Sequence, residues 1–72
     1  MGDDDGEARR RVRQLLLSGD NTLKNRRGPE RDQRARTRYQ EARQVAAAAG
    51  LEPELIAIID RRLQDLGTAA AG

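Results

Sequence analysis

The stretch LLLSGDNTLKN, residues 15–25, decides the fold. Three leucines read as the buried face of a helix. Ser18, Gly19, Asp20 and Asn21 then read, locally, as a turn, because Ser, Asp and Asn bond their own backbone and Gly costs helix stability. Periodicity gives the opposite answer. Val12, Leu15, Leu16, Gly19 and Leu23 keep one face of a 3.6-residue repeat across the whole stretch. The spacing predicts a helix running from Glu7 to about Lys24, with Gly19 where a second helix crosses closely. A glycine inside a helix is about 1 kcal/mol worse than alanine, so a close crossing supplies its reason.

Working outward, residues 1–6 form an acidic leader whose composition predicts disorder. After Lys24, NRRGPE carries a stop at Gly28 and a start at Pro29, which suits the first turn of a helix. The second helix, 29–49, has Ala35, Tyr39, Ala42, Val45, Ala46 and Ala49 on one stripe. That stripe is nearly all small, so a neighbour can approach it closely. Gly50 is a carboxyl-terminal stop and Pro53 a restart. The third helix, 53–66, is the apolar one, with Leu55, Ile59, Leu63 and Leu66 in a stripe that Ile56 and Ile58 widen. So wide a stripe calls for more than one neighbour. Residues 68–72 read as a frayed tail. No segment alternates with the period of a strand. The expectation is an all-α fold, a small antiparallel three-helix array forming one domain over residues 7–67.

With 72 residues, the chain can hide only about 60% of its unfolded surface. Large apolar residues are few, and no cysteine is present to staple them. A partner, or a second copy, is therefore expected to complete the buried surface.

Composition excludes much chemistry. The chain has no histidine and no cysteine, which removes thiolate catalysis and the usual zinc ligand sets. The remaining nucleophiles, Ser18, Thr22, Thr37, Thr68, Lys24 and Tyr39, have no local base. Carboxylate pairs such as Glu52 with Glu54, or Asp60 with Asp65, read as solvated helix surface, because acid–base work needs a buried pocket. DDDGE has the composition of a calcium loop, but a 12-residue loop counted from Asp3 ends on Gln14 instead of glutamate. No catalytic residue, metal ligand, cofactor or small-molecule substrate is expected, and the chain reads as a non-enzyme.

No apolar run approaches the roughly 20 residues of a membrane span, and the amino terminus is acidic where a signal peptide is basic. A cytoplasmic protein without a membrane partner is the expectation. Arginine in nearly every basic position, together with abundant alanine, fits a GC-rich bacterial coding sequence.

The net charge of +2 conceals segregation: residues 1–8 carry −4, residues 9–43 carry +8 and residues 44–72 carry −2. Such asymmetry points either to a polyanionic partner or to attraction between parts of the chain itself. In the nucleic-acid reading, Arg9, Arg10, Arg13, Arg26, Arg27, Arg31, Arg34 and Arg38 would meet phosphates. Two patterns oppose it. Arginines flank both sides of the second helix's apolar stripe, and the single aromatic, Tyr39, sits in the expected core, which leaves no stacking platform.

Ala35-x3-Tyr39-x2-Ala42, with Leu15 and Gly19 upstream and Leu63, Leu66 and Gly67 downstream, resembles the tetratricopeptide repeat. The resemblance covers residues 12–67, about one and a half repeats. It implies a helical hairpin packed tightly at Gly19, Ala35 and Ala42, followed by the opening helix of a next repeat. Ser18 stands where the family has leucine, Thr22 where it has tyrosine, and the span from Gly19 to Ala35 is about four residues longer. Repeat arrays need about three units for stability, so a protein partner or self-association follows. The residues expected at that surface are Ile56 and Ile58, with Leu55 and Leu66 beside them. The leading function is then a protein–protein interaction or adaptor module, and the alternative a nucleic-acid-binding regulator using residues 9–43.

Overall fold

The computed structural model describes residues 3–25 and 28–71. It consists of three helices, α1 (Asp3–Asn25), α2 (Pro29–Ala48) and α3 (Pro53–Ala71), with no strand among the described residues. The all-α array expected from the sequence is the observed fold. Helix α2 is central: α1 packs on one flank and α3 on the other. The Arg11–Glu41 and Arg43–Asp60 pairs show that each neighbour runs antiparallel to it.

LLLSGDN is helix throughout. Burial outweighs the local turn chemistry, because Val12, Leu15, Gly19 and Leu23 all face α2 and the core. A Cβ on Gly19 would stand 2.5 Å from Cε1 of Tyr39, closer than any two such atoms can settle. The tyrosine ring therefore occupies the space a side chain would need. The stripe expected on α2 is also observed. Ala35, Tyr39, Ala42 and Ala46 are fully buried, while Val45 and Ala49 pack at the edge. Small residues on α2 and a missing side chain on α1 let the two backbones approach around one large ring.

Gly50 ends α2 in the left-handed conformation, at φ 67°. Its N–H donates to the Ala47 carbonyl (3.2 Å), and the Leu51 N–H to that of Ala46 (3.0 Å). This doubly bonded cap returns two orphan carbonyls to partners and drops Leu51 into the core. Pro53 then opens α3 after the Glu52 carbonyl, which accepts from Leu55 and Ile56 (3.0 and 3.3 Å).

The helix ends differ from the sequence reading. Helix α1 starts at Asp3, so residues 3–6, expected as leader, have helical backbone. Acidic sequence is favoured at a helix amino terminus, where the dipole is positive. At the other end, α3 continues through Gly67 to Ala71. Alanine is the strongest helix former, and a run of three outweighs the cost of one glycine.

The crossing yields a prediction against propensity. On a free helix Gly→Ala gains up to about 1 kcal/mol, yet here Gly19→Ala should lose about 1 to 3 kcal/mol by forcing Tyr39 off its position. Gly19→Leu should lose more. Urea unfolding followed by circular dichroism would measure both, and a stabilised Gly19→Ala would mean the helices do not cross closely there.

Candidate partner-binding groove

Because α1 and α3 pack on opposite flanks of one side of α2, their own facing surfaces do not close. Between them lies a groove of about 260 Å³. One wall, from α1, carries Arg9, Arg13, Leu16, Leu17 and Asp20, and the other carries Glu52, Leu55 and Arg62, with Val12 below. The apolar centre comes from the same helical periodicity that builds the core. Leu16 and Leu55 are half-buried shoulders of the two core stripes.

An ion pair closes each end, one from α1 to the connection before α3 and one from α1 to α3. Arg9 Nη1 donates to Glu52 Oε2 at 2.6 Å at one end, with Nη2 close to the other carboxylate oxygen. At the other end Arg62 donates from Nε and Nη2 to the two oxygens of Asp20, both at 3.2 Å. This fork matches the planar carboxylate and fixes direction as well as charge. The Tyr39 hydroxyl donates to Asp20 Oδ1 at 2.5 Å. Asp20 thus holds one residue from each of the other two helices.

Titration follows from that arrangement. Burial alone would raise the Asp20 pKa, but hydrogen bonds from Arg62 and Tyr39, with the positive charges of Arg62 and Lys24, outweigh it and hold the carboxyl below its ordinary 3.8. Burial and the adjoining Asp20 carboxylate push the Tyr39 phenol well above its ordinary 10.0. The hydrogen bond to Asp20 raises Arg62 further. Glu52, lying in solvent, is lowered chiefly by the hydrogen bond from Arg9.

The expected partner-binding residues separate. Ile58 is 48% exposed and shares a stripe of α3 with Leu55 and Arg62, both of the groove wall. Leu55 and Ile56 are half-buried against the core. Leu66 does not lie at the surface: at 4% exposure it is core, because it falls on the same line of α3 as Ile59, which faces Tyr39 and the alanines of α2. Leu17, 54% exposed on the α1 wall, was not expected there. Its signal is present in the sequence, since it stands one residue past the Leu15–Leu16 stripe and has no place on it. Asp20 and Arg62 also escaped sequence reading, because nothing local tells a turn-type aspartate from one that meets an arginine 42 residues away.

The arginines of the nucleic-acid reading do not share a surface. Arg9 is committed to Glu52. Arg31 donates to the Leu23 carbonyl at 3.5 Å, and its Nε faces Asp32 at 3.5 Å as an ion pair, not an aligned hydrogen bond. Arg13 lines the α1–α3 groove, whereas Arg34 and Arg38 line a separate cleft with Ser18 and Thr22 on the far flank of α1. Arg10 is exposed, and Arg26 and Arg27 lie outside the described residues. Among the described residues three ion pairs join different helices, Arg11–Glu41, Arg43–Asp60 and Arg62–Asp20, and a fourth, Arg9–Glu52, ties α1 to the connection before α3. Much of the charge segregation along the chain is thereby used within the fold.

Among the described residues there is no cluster of metal-ligating side chains, and no helix is long and apolar enough to cross a membrane. Comparison with protein-family models, with curated proteins and with solved structures finds no match.

The triad gives stability a defined pH window. Asp20, lowered in the fold, contributes stability present above pH 3.8 and lost as pH falls through its folded pKa. Tyr39, raised in the fold, contributes stability present below pH 10.0 and lost as pH climbs toward its folded value. Thermal melts should therefore hold a plateau between these limits. Tyr39→Phe should lower the plateau by about 0.5 to 1.5 kcal/mol and flatten the alkaline decline. An alkaline limb unchanged in Tyr39→Phe would assign that decline to another group.

Proposed function

We propose that the protein is a small, non-enzymatic interaction module that takes an acidic amphipathic helix in the groove between α1 and α3. One observation carries this reading. Of the large apolar residues exposed among those described, Leu17 lines the α1 wall of that groove, and Ile58 shares a stripe of α3 with Leu55 and Arg62 of the other wall. Scattered surface leucines are ordinary, but two beside a cleft with an apolar centre form a continuous strip. An amphipathic helix lays its i, i+3, i+4 and i+7 residues on such a strip.

Charge selects the occupant. Both carboxylates of the groove, Asp20 and Glu52, already hold arginines, while Arg13 has no ion pair among the described residues and Arg10 is exposed one turn away along α1. The residual potential is positive, so acidic flanks on the ligand speed encounter and set its direction. The resemblance to a tetratricopeptide repeat agrees with this reading. The close crossing at Gly19 and Tyr39 and the placement of α3 against α2 are what one and a half such repeats would produce. The nucleic-acid alternative has less support, since its arginines are divided between two faces and partly consumed by ion pairs.

A display library of helical peptides, panned against the intact protein, tests the proposal. Enriched sequences should pair apolar anchors at helical spacing with acidic flanks. Leu17→Asp and Ile58→Asp should each weaken the best peptide by about tenfold or more, and Arg13→Glu should slow its association and remove its salt dependence. Failure to enrich, or binding indifferent to Leu17 and Ile58, would overturn the groove. Tight, salt-dependent binding of mixed DNA or RNA in a parallel titration would favour the alternative.

A further inference from the structure

On the far flank of α1, away from the groove, lies a cleft of about 330 Å³ lined by Ser18 and Thr22 of α1 and by Arg34, Thr37 and Arg38 of α2. Each helix supplies residues one turn apart, so two short hydroxyl side chains meet two long cationic ones across the antiparallel pair. Every charge on this lining is positive. The α1–α3 groove mixes Asp20 and Glu52 with its arginines, and the outer side of α3 sets Asp60 and Asp65 beside Arg61.

Arg34 and Arg38 stand apart from the arginines that the fold employs. Among the described residues neither has an ion pair or a side-chain hydrogen bond. Glu30, one turn before Arg34, makes no pair with it and does not line the cleft. Like charges four residues apart on a helix repel, so this pair weakens α2 until an anion stands between them. The Ser18 hydroxyl is also uncommitted and has a proton to donate. Thr22 and Thr37 have already spent theirs on the Ser18 and Gln33 carbonyls, at 2.8 and 3.0 Å, so their oxygens can only accept.

We propose that this cleft binds a single phosphomonoester group, held by the guanidinium forks of Arg34 and Arg38 and by the Ser18 hydroxyl. Guanidinium matches the paired oxygens of a phosphoryl group in geometry as well as charge. The two accepting hydroxyls select phosphate among oxyanions, because a singly protonated phosphoryl group has an O–H to give them and sulfate has none. The cleft suits one such group and not a nucleic-acid strand. Arg31, the preceding arginine on that side of α2, is held by the Leu23 carbonyl and Asp32, and Glu41 puts a carboxylate three residues past Arg38.

A nuclear magnetic resonance titration of the isotope-labelled intact chain with inorganic phosphate, at constant ionic strength and near the second phosphoryl pKa of about 6, tests this. Shifts should saturate with a dissociation constant of about millimolar, as befits an open site, and should centre on Ser18, Thr22, Arg34, Thr37 and Arg38. Sulfate should bind more weakly although it carries the greater charge at that pH. Arg34→Gln and Arg38→Gln should each weaken phosphate about tenfold or more, and neither should lower the melting temperature in phosphate-free buffer, since both side chains are exposed. Ile58→Asp, which weakens the groove, should leave phosphate binding unchanged. A peptide with one phosphoserine should compete with phosphate where its unphosphorylated form does not. Tighter binding of that peptide than of phosphate assigns the group to a partner protein, and equal binding assigns it to a small phosphorylated molecule. Shifts that never saturate, sulfate bound as well as phosphate, or an Arg34→Gln or Arg38→Gln protein that binds like the parent would overturn the proposal. So would an oligonucleotide without a terminal phosphate that binds these residues more tightly than the phosphopeptide.

Discussion

The Asp20 carboxylate receives the Tyr39 hydroxyl and the Arg62 guanidinium at once, and the arrangement of the three helices depends on it. Each partner comes from a different helix, so a single carboxylate sets where α2 and α3 stand relative to α1. The position exists only because the preceding residue is glycine. With no side chain at residue 19, the Tyr39 ring lies against α1 at that position and its hydroxyl reaches the next residue along. Any other residue at 19 would push the ring, and with it the hydroxyl, away from the carboxylate. Glycine and aspartate thus act as a unit, the one admitting the ring and the other binding its polar end. A buried tyrosine needs that partner, since an unbonded hydroxyl in the core would cost about 1 to 3 kcal/mol.

The same unit explains why a groove remains. Helix α2 buries small side chains toward α1 and one large ring between its two neighbours, so both can approach it closely. The approach leaves α1 and α3 side by side without interlocking. Charges join them at the groove's ends, Arg62 with Asp20 directly and Arg9 with Glu52, the residue before α3. Partly exposed ion pairs contribute little stability, about 1 kcal/mol or less apiece, but they set direction. Between them lies the apolar middle of the groove, Leu16, Leu17 and Leu55.

Much of this was legible in the sequence, and what was not has a common cause. Periodicity placed all three helices, and a stripe of alanines with one tyrosine identified the face of α2 that packs. Gly19 could be read correctly because a face with period 3.6 continued through it, and that periodicity outweighed the turn-like residues around it. The charge segregation posed the right alternatives, and the interhelical pairs favour internal attraction. Leu66 was misplaced because an apolar stripe wider than one neighbour does not say which edge is covered. Ile58 and Leu66 look alike on the wheel of α3, and only the position of α2 distinguishes them. Leu17, Asp20 and Arg62 were missed because their roles exist only between helices. The helix ends escaped too, since an acidic leader also suits a helix amino terminus and the cost of glycine at Gly67, about 1 kcal/mol, is small beside an alanine run.

That marginality bears on function. A chain of this size has little stability in reserve, yet it leaves Leu17 and Ile58 at the surface where polar residues would cost nothing in packing. Neither side chain supports the core, and both stand beside positions where charge is abundant. Fold stability therefore does not account for them. Under the proposed reading, a helix docked in the groove would cover Leu17 and reach Ile58 beside Leu55 and Arg62 on α3.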